Sequence, residues 1–179
     1  MPLFGAHMSI AGGCHNALTA AKAHDFDTVQ FFTKNNNQWN AKDLTPDDIK
    51  QFGDLLKSTK LKHPTAHDSY LINLASPEPT LYQRSLEAFV IEVQRAEALG
   101  LTYLVMHPGT PTDGDDEAGL KRIVSAFDEI HARCKGCRVK VLLETTAGHS
   151  SDNNRQSYSV VSSANMVLDL KQSVVSATD

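Results

Sequence analysis

His67, His107 and Glu144 each close a short apolar run, at residues 64–67, 103–107 and 139–144. Each run reads as a buried β-strand, and the three ends are spaced by about one strand–helix unit. Two imidazoles and a carboxylate meeting at one point make a hard-to-borderline donor set, for which zinc is the first expectation. A single histidine at a strand end is more often an ordinary hydrogen-bonded residue. Three ligand types at successive strand ends argue for a site, because chance would scatter them over helices and loops. His7 also ends an apolar run, residues 3–7, and is read as a donor that orients a metal ligand. His15, His24 and His131 fall on helical stretches and His63 just before a strand, so these four are read as solvated or structural.

To bring such ligands together, the chain needs strands whose C-termini converge. Residues 3–7 and 28–33 are the first two strands, the second β-branched and aromatic as a strand should be. An alanine-rich helix follows Gly12-Gly13, with Ala17, Leu18 and Ala21 on one face. Thr45-Pro46-Asp47-Asp48 starts a second helix: Thr45 suits the cap, Pro46 the first helical position, and the acids the dipole. Ile49, Phe52 and Leu56 follow at helical spacing. Ser76-Pro77 is expected to open a third helix bearing Tyr82, Leu86, Phe89, Val93 and Ala96, with Gly100 as its stop. Asp115-Asp116-Glu117 leads into a fourth with Leu120, Ile123, Val124, Phe127 and Ile130. Five strands separated by helices of this length call for right-handed parallel βαβ units. In a parallel β/α barrel the strand C-termini share one face, where active sites are built.

The 179 residues suffice for one domain with a real core, whereas a complete eight-unit barrel usually needs about 250. The expected fold class is therefore α/β, a TIM-type parallel β/α barrel that is incomplete, with about five of eight βα units. A net charge of −4 gives no overall attraction to nucleic acid, so phosphate binding would rest on metals and local donors. Three cysteines, no secretory leader and no apolar stretch approaching the roughly 18 residues of a membrane span point to a soluble cytoplasmic protein. From Ser150 the composition changes, with eight serines and neither glycine nor proline. One apolar cluster there, residues 166–170, is expected to be helical. The domain expectation is a partial barrel over residues 1–148 and a divergent serine-rich tail over 149–179.

Other segments carry weaker signals. The loop after His67 crowds Asp68, Ser69, Tyr70, Leu71 and Asn73 onto the same face, with Tyr70 and Leu71 either contacting a ligand or packing the loop down. The loop after Phe32 supplies amides, Lys34 and the sole tryptophan, Trp39. Such loops suit phosphate and sugar contacts, although the same residues make ordinary Asx turns. Cys134 and Cys137 have CxxC spacing without a second pair, poor grounds for zinc or redox chemistry. Gly12-Gly13 lacks the GxGxxG pattern of a dinucleotide site.

Five segments in order resemble the endonuclease IV family of apurinic/apyrimidinic endonucleases. They are GAHMSIAGG (residues 5–13), FFTKNNNQW (31–39), HDSYLINLASP (67–77), HPG (107–109) and LLETTAG (142–148). The resemblance implies a β/α barrel holding three zinc ions, and a hydrolase that cleaves the backbone 5′ to abasic sites in double-stranded DNA during base-excision repair. It implies that His67 and His107 hold one zinc and that Glu144, both ligand and catalytic residue, bridges to a second. Tyr70 and Leu71 match positions that insert at the damaged site, and the loop around Asn37 and Gln38 would touch DNA.

The departures from that family shape the expectation for this chain. Asn35-Asn36-Asn37 replaces a basic residue expected in the loop, so DNA grip there is weaker, and Thr145 stands where asparagine is usual after the glutamate. Beyond Gly148 the family's later Asp, His and Glu motifs are not matched, which suggests a frameshift, altered splicing or a truncated gene model. Ligand counting then gives at most one well-held zinc, unpaired outer edges on the first and fifth strands, and incision far below a complete enzyme. Two other functions compete: a metal-dependent sugar isomerase or epimerase, whose barrels also place His, Asp and Glu at strand ends, and a non-catalytic DNA-binding remnant.

Overall fold

The computed structural model describes residues 2–144 and the strand at 167–169. Strand and helix alternate from β1 to β5: β1 (Gly5–His7), α1 (His15–Ala23), β2 (Thr28–Phe32), α2 (Pro46–Thr59), β3 (Thr65–His67), α3 (Pro79–Ala98), β4 (Tyr103–Met106), α4 (Asp116–Arg133) and β5 (Lys140–Leu143), with a further strand β6 (Val167–Asp169). β1 to β5 lie side by side in chain order, every neighbouring pair parallel. This is the five-unit portion of a β/α barrel that the alternation predicts.

The two faces of the sheet are chemically different. Val29, Phe31, Ala66, Leu104, Met106, Val141 and Leu143 point outward and are buried beneath the helices. Against them pack Leu18 of α1, Phe52 of α2, Leu86, Phe89 and Val93 of α3, and Phe127 and Ile130 of α4. Alternate strand residues face the barrel interior. Cross-strand pairing sorts them into rows: His7 beside Gln30, Gln30 beside Thr65, and Thr65 beside Tyr103 form one row. Phe32, His67 and Val105 form the next row toward the strand C-termini.

Helix starts follow local chemistry. Thr45 and Asp48 form a reciprocal capping box at α2, with the Asp48 N–H donating to the Thr45 hydroxyl at 3.1 Å and the Thr45 N–H to the Asp48 carboxylate at 2.9 Å. Those bonds hold the Asp48 carboxyl below the usual aspartate range. Thr45→Ala should therefore cost about 1 kcal/mol in urea unfolding. Because the folded-state pKa is depressed, the carboxylate's share is present above the unfolded value and fades as the pH falls through the folded one. A Thr45→Ala deficit near zero at neutral pH would contradict the capping role.

Several expectations are corrected. α3 opens two residues after Pro77, since Glu78 makes the better cap, its carboxylate accepting from the N–H groups of Thr80 and Leu81 while Pro79 takes the first helical position. On α4, Leu120 and Val124 are exposed, and burial falls on Gly119, Ala126, Phe127 and Ile130. The apolar cluster in the tail contributes a strand in place of a helix. β6 pairs antiparallel with β5, Val141 opposite Leu168, so the fifth strand's outer edge is occupied along that stretch. A short apolar run does not distinguish helix from strand by period, and an open sheet edge offers it hydrogen-bond partners. β1 remains at the end of the sheet, with Phe4 beside it 68% exposed.

Candidate metal centre

His67 is the last residue of β3, and His107 and Glu144 each follow directly after β4 and β5. Met106 pairs with Leu143, and the Glu144 N–H extends that ladder by donating to the Met106 carbonyl at 2.8 Å. Strand alternation sends all three side chains to the barrel interior. Their donor atoms lie within 4.8 Å of one another.

The hydrogen bonds around the two rings decide which nitrogens are free. His67 Nδ1 lies 2.9 Å from the Asp68 carbonyl and His107 Nδ1 lies 3.3 Å from the Glu144 carbonyl. A carbonyl only accepts, so each ring donates from Nδ1, and in the neutral imidazole that leaves the Nε2 lone pair facing inward. His67 Nε2 is 3.2 Å and His107 Nε2 3.9 Å from the same Glu144 oxygen, Oε2. Two lone pairs and a carboxylate oxygen face one another, an arrangement that a cation relieves. Backbone carbonyls on the outer nitrogens are also the usual way of setting the tautomer of a ligating histidine. The residues present therefore fit a divalent metal with nitrogen and oxygen preference, zinc among them.

Aromatic rings close one side. Tyr70 is 60% exposed yet its ring centroid lies 5.7 Å from His67, 6.4 Å from His107 and 5.4 Å from Phe32. It both packs its loop down and presents an aromatic surface beside the donors. Leu71 is half-buried next to it, its N–H held by the Ser69 hydroxyl at 3.3 Å. His7 is placed elsewhere. It sits one row below His67, its Nδ1 3.0 Å from the Gln30 amide oxygen, with Phe32 packed on it at 4.5 Å.

Asn37 and Gln38 are exposed on the loop after β2. That loop is anchored from beneath: Lys34 Nζ donates to the Gln38 carbonyl at 2.7 Å, and the Ser69 hydroxyl to the Asn36 carbonyl at 2.6 Å. The Arg84 guanidinium covers the Trp39 ring at 4.5 Å.

Beneath these loops lies a buried charged network whose participation no motif announced. Lys34 is 3.3 Å from Glu92 of α3, with side-chain exposures of 3% and 1%. The other Glu92 oxygen accepts from the Thr33 hydroxyl at 2.6 Å, and Arg95 donates to the Thr33 carbonyl at 2.6 Å. Asp68 lies next to His67, its Oδ1 3.5 Å from Nδ1, and its Oδ2 is buried without a hydrogen-bond partner among the described residues. Burial pushes the Asp68 carboxyl well above the usual aspartate range, and Glu92's charge adds to this, while Lys34 and the His107 backbone N–H act in the opposite direction. Glu92 had one available signal: an acid among the core-facing positions of α3, beside Phe89, Val93 and Ala96. Cys134 is buried, and burial pushes its thiol up to about 11, so thiolate is scarce there.

Comparison with known proteins bears out both the fold and the resemblance. A family model described as "Xylose isomerase-like TIM barrel" matches residues 18–174. A protein of Citrifermentans bemidjiense named "Probable endonuclease 4" is 45% identical over 152 residues, 85% of this chain and 54% of its own length. Its namesake in Thermoplasma acidophilum is 40% identical over 149 residues, 82% of this chain and 50% of its own. The crystal structure of endonuclease IV from Thermus thermophilus superposes with a TM-score of 0.70 at 30% identity, covering 83% of this chain and 54% of that one. A D-tagatose 3-epimerase-like protein superposes at 0.62 with 20% identity, a likeness of fold alone. The chain spans about half the length of the relatives it matches. It belongs to the xylose isomerase-like TIM barrel family.

Proposed function

We propose that these residues form part of a zinc-dependent active site for phosphodiester hydrolysis 5′ to abasic sites in double-stranded DNA, the chemistry of base-excision repair. The observation that carries this reading is the convergence of His67 Nε2, His107 Nε2 and Glu144 Oε2 at the strand C-termini, in a chain 45% identical to a probable endonuclease 4. A divalent metal held there supplies Lewis acidity toward a phosphodiester. His67 and His107 bind through Nε2, and Glu144 contributes the negative charge that offsets the cation. Asp68 and Glu144 place their carbonyls to accept from Nδ1 of each ring, which orients the two Nε2 atoms inward. Tyr70 and Leu71 enter the gap left by the missing base, where extrusion of an unpaired sugar costs less than that of a paired nucleotide. Asn37 and Gln38 donate amide contacts to the DNA backbone. The cytoplasm is the proposed setting, consistent with three free cysteines; no described helix is long and apolar enough to cross a membrane.

One donor group of this kind lies among the described residues; at most one tightly held zinc and weak incision are expected. The test is cleavage of an end-labelled duplex bearing one tetrahydrofuran abasic analogue, with zinc, against His107→Ala. A trace of zinc-dependent product, absent from the variant, is expected. Undiminished product from His107→Ala would overturn the assignment, and turnover matching a complete endonuclease IV would overturn the one-zinc expectation.

A further inference from the structure

The side chain of Asn73 joins the loop carrying Tyr70 to the loop following His107. Asn73 Nδ2 donates to the Thr110 carbonyl at 2.9 Å, and Asn73 Oδ1 accepts from the Thr110 N–H at 3.1 Å. The amide thus pairs with a backbone unit as a neighbouring strand would, across 37 residues of sequence. Oδ1 also accepts from the Ala75 N–H at 3.1 Å, and the Ser85 hydroxyl accepts from the Asn73 N–H at 3.0 Å, so the amide is held from its own side as well. Gly109 records how close the approach is. Its φ is +99°, and a Cβ added there would fall 2.1 Å from Asn73 Oδ1. The glycine after His107-Pro108 is therefore required by the amide lying against it, in addition to its backbone conformation.

We infer that Asn73 is a positioning residue that ties the metal ligand His107 to the Tyr70–Leu71 loop, so that the metal and the substrate-facing aromatic hold one geometry. The inference rests on the metal reading above. Among the described residues, the hydrogen bond that orients the His107 ring is the 3.3 Å contact from Nδ1 to the Glu144 carbonyl. Three residues later the clasp at Thr110 holds the strand exit that carries it. Losing such support typically weakens metal affinity about 10-fold to 100-fold.

Two substitutions separate the clasp from the local turn. Asn73→Ala removes both. Asn73→Asp keeps an acceptor for the Ala75 and Thr110 N–H groups, but it loses the donor and sets an oxygen against the Thr110 carbonyl. Co2+ is the probe, its visible absorbance reporting affinity, with amide exchange at Thr110 followed in parallel. Both variants are expected to bind Co2+ about 10-fold more weakly or worse, with faster Thr110 exchange, while Asn73→Asp keeps a melting temperature near the parent's. Co2+ affinity within twofold of the parent in Asn73→Asp would overturn the inference, even if Asn73→Ala fails to fold, because the side chain would then serve only its own turn. If the parent chain binds no Co2+ while Thr110 exchange still responds to Asn73→Asp, the metal reading falls and the inference falls with it. If the parent binds and the variants are unchanged, the inference alone fails.

Discussion

Glu92→Leu is expected to destabilise the chain by about 3–5 kcal/mol, as breaking a buried ion pair does when one charge is left unmatched. Lys34 would remain with 3% side-chain exposure and without the carboxylate that lies 3.3 Å from it. The Thr33 hydroxyl would lose its 2.6 Å acceptor. Removing both charges, as Lys34→Met with Glu92→Leu, should recover most of the loss, since a packed apolar pair avoids the desolvation that the ions incur. The double variant should still differ from the parent in one respect: the Gln38 carbonyl no longer receives the lysine N–H, so the Asn37–Gln38 loop loses an anchor. Urea unfolding of the three variants measures this. A single-variant loss under about 1 kcal/mol, or no recovery in the double variant, would show that the pair is not acting as a buried counter-charge.

The second large effect is metal-linked. If the two Nε2 atoms and Glu144 hold zinc in the folded chain only, free zinc at about 100 times its dissociation constant should stabilise the fold by about 2.7 kcal/mol. For a chain of this size that corresponds to a rise in melting temperature of about 2–4 °C per kcal/mol. His67→Ala should abolish the rise, because it removes the most buried donor, and a chelator should reverse it in the parent. A similar rise in His67→Ala would place the responsible zinc somewhere other than this cluster.

Much of this was legible in the sequence, and for identifiable reasons. The outward-facing strand residues and the apolar rows of α1 and α3 repeat with periods that directly report burial. Strand C-termini in a parallel barrel must share a face, so His67, His107 and Glu144 could be brought together on paper before any coordinate. What was not legible depends on register and on distant contacts. His7 ends a strand as His67 does, but the pairing of β1 with β2 sets it beside Gln30, one row below, and no local pattern states that. The opposition of Lys34 and Glu92 needs α3 docked against β2, and Asn73's grip on Thr110 needs two loops in their final places. Ser76-Pro77 and Glu78-Pro79 offer competing helix starts, and the carboxylate cap at Glu78 settles the competition only through its hydrogen bonds. The strand at Val167–Asp169 depends on the edge of β5 being available, a tertiary circumstance that residues 166–170 do not carry in themselves.

The most direct test of the account is zinc content. The purified chain is loaded with zinc, dialysed against metal-free buffer, and weighed intact under non-denaturing conditions, beside a variant carrying His67→Ala, His107→Ala and Glu144→Ala. One zinc retained by the parent and none by the variant is the predicted result. Equal retention by both, or none by the parent, would contradict a metal centre built from these three residues.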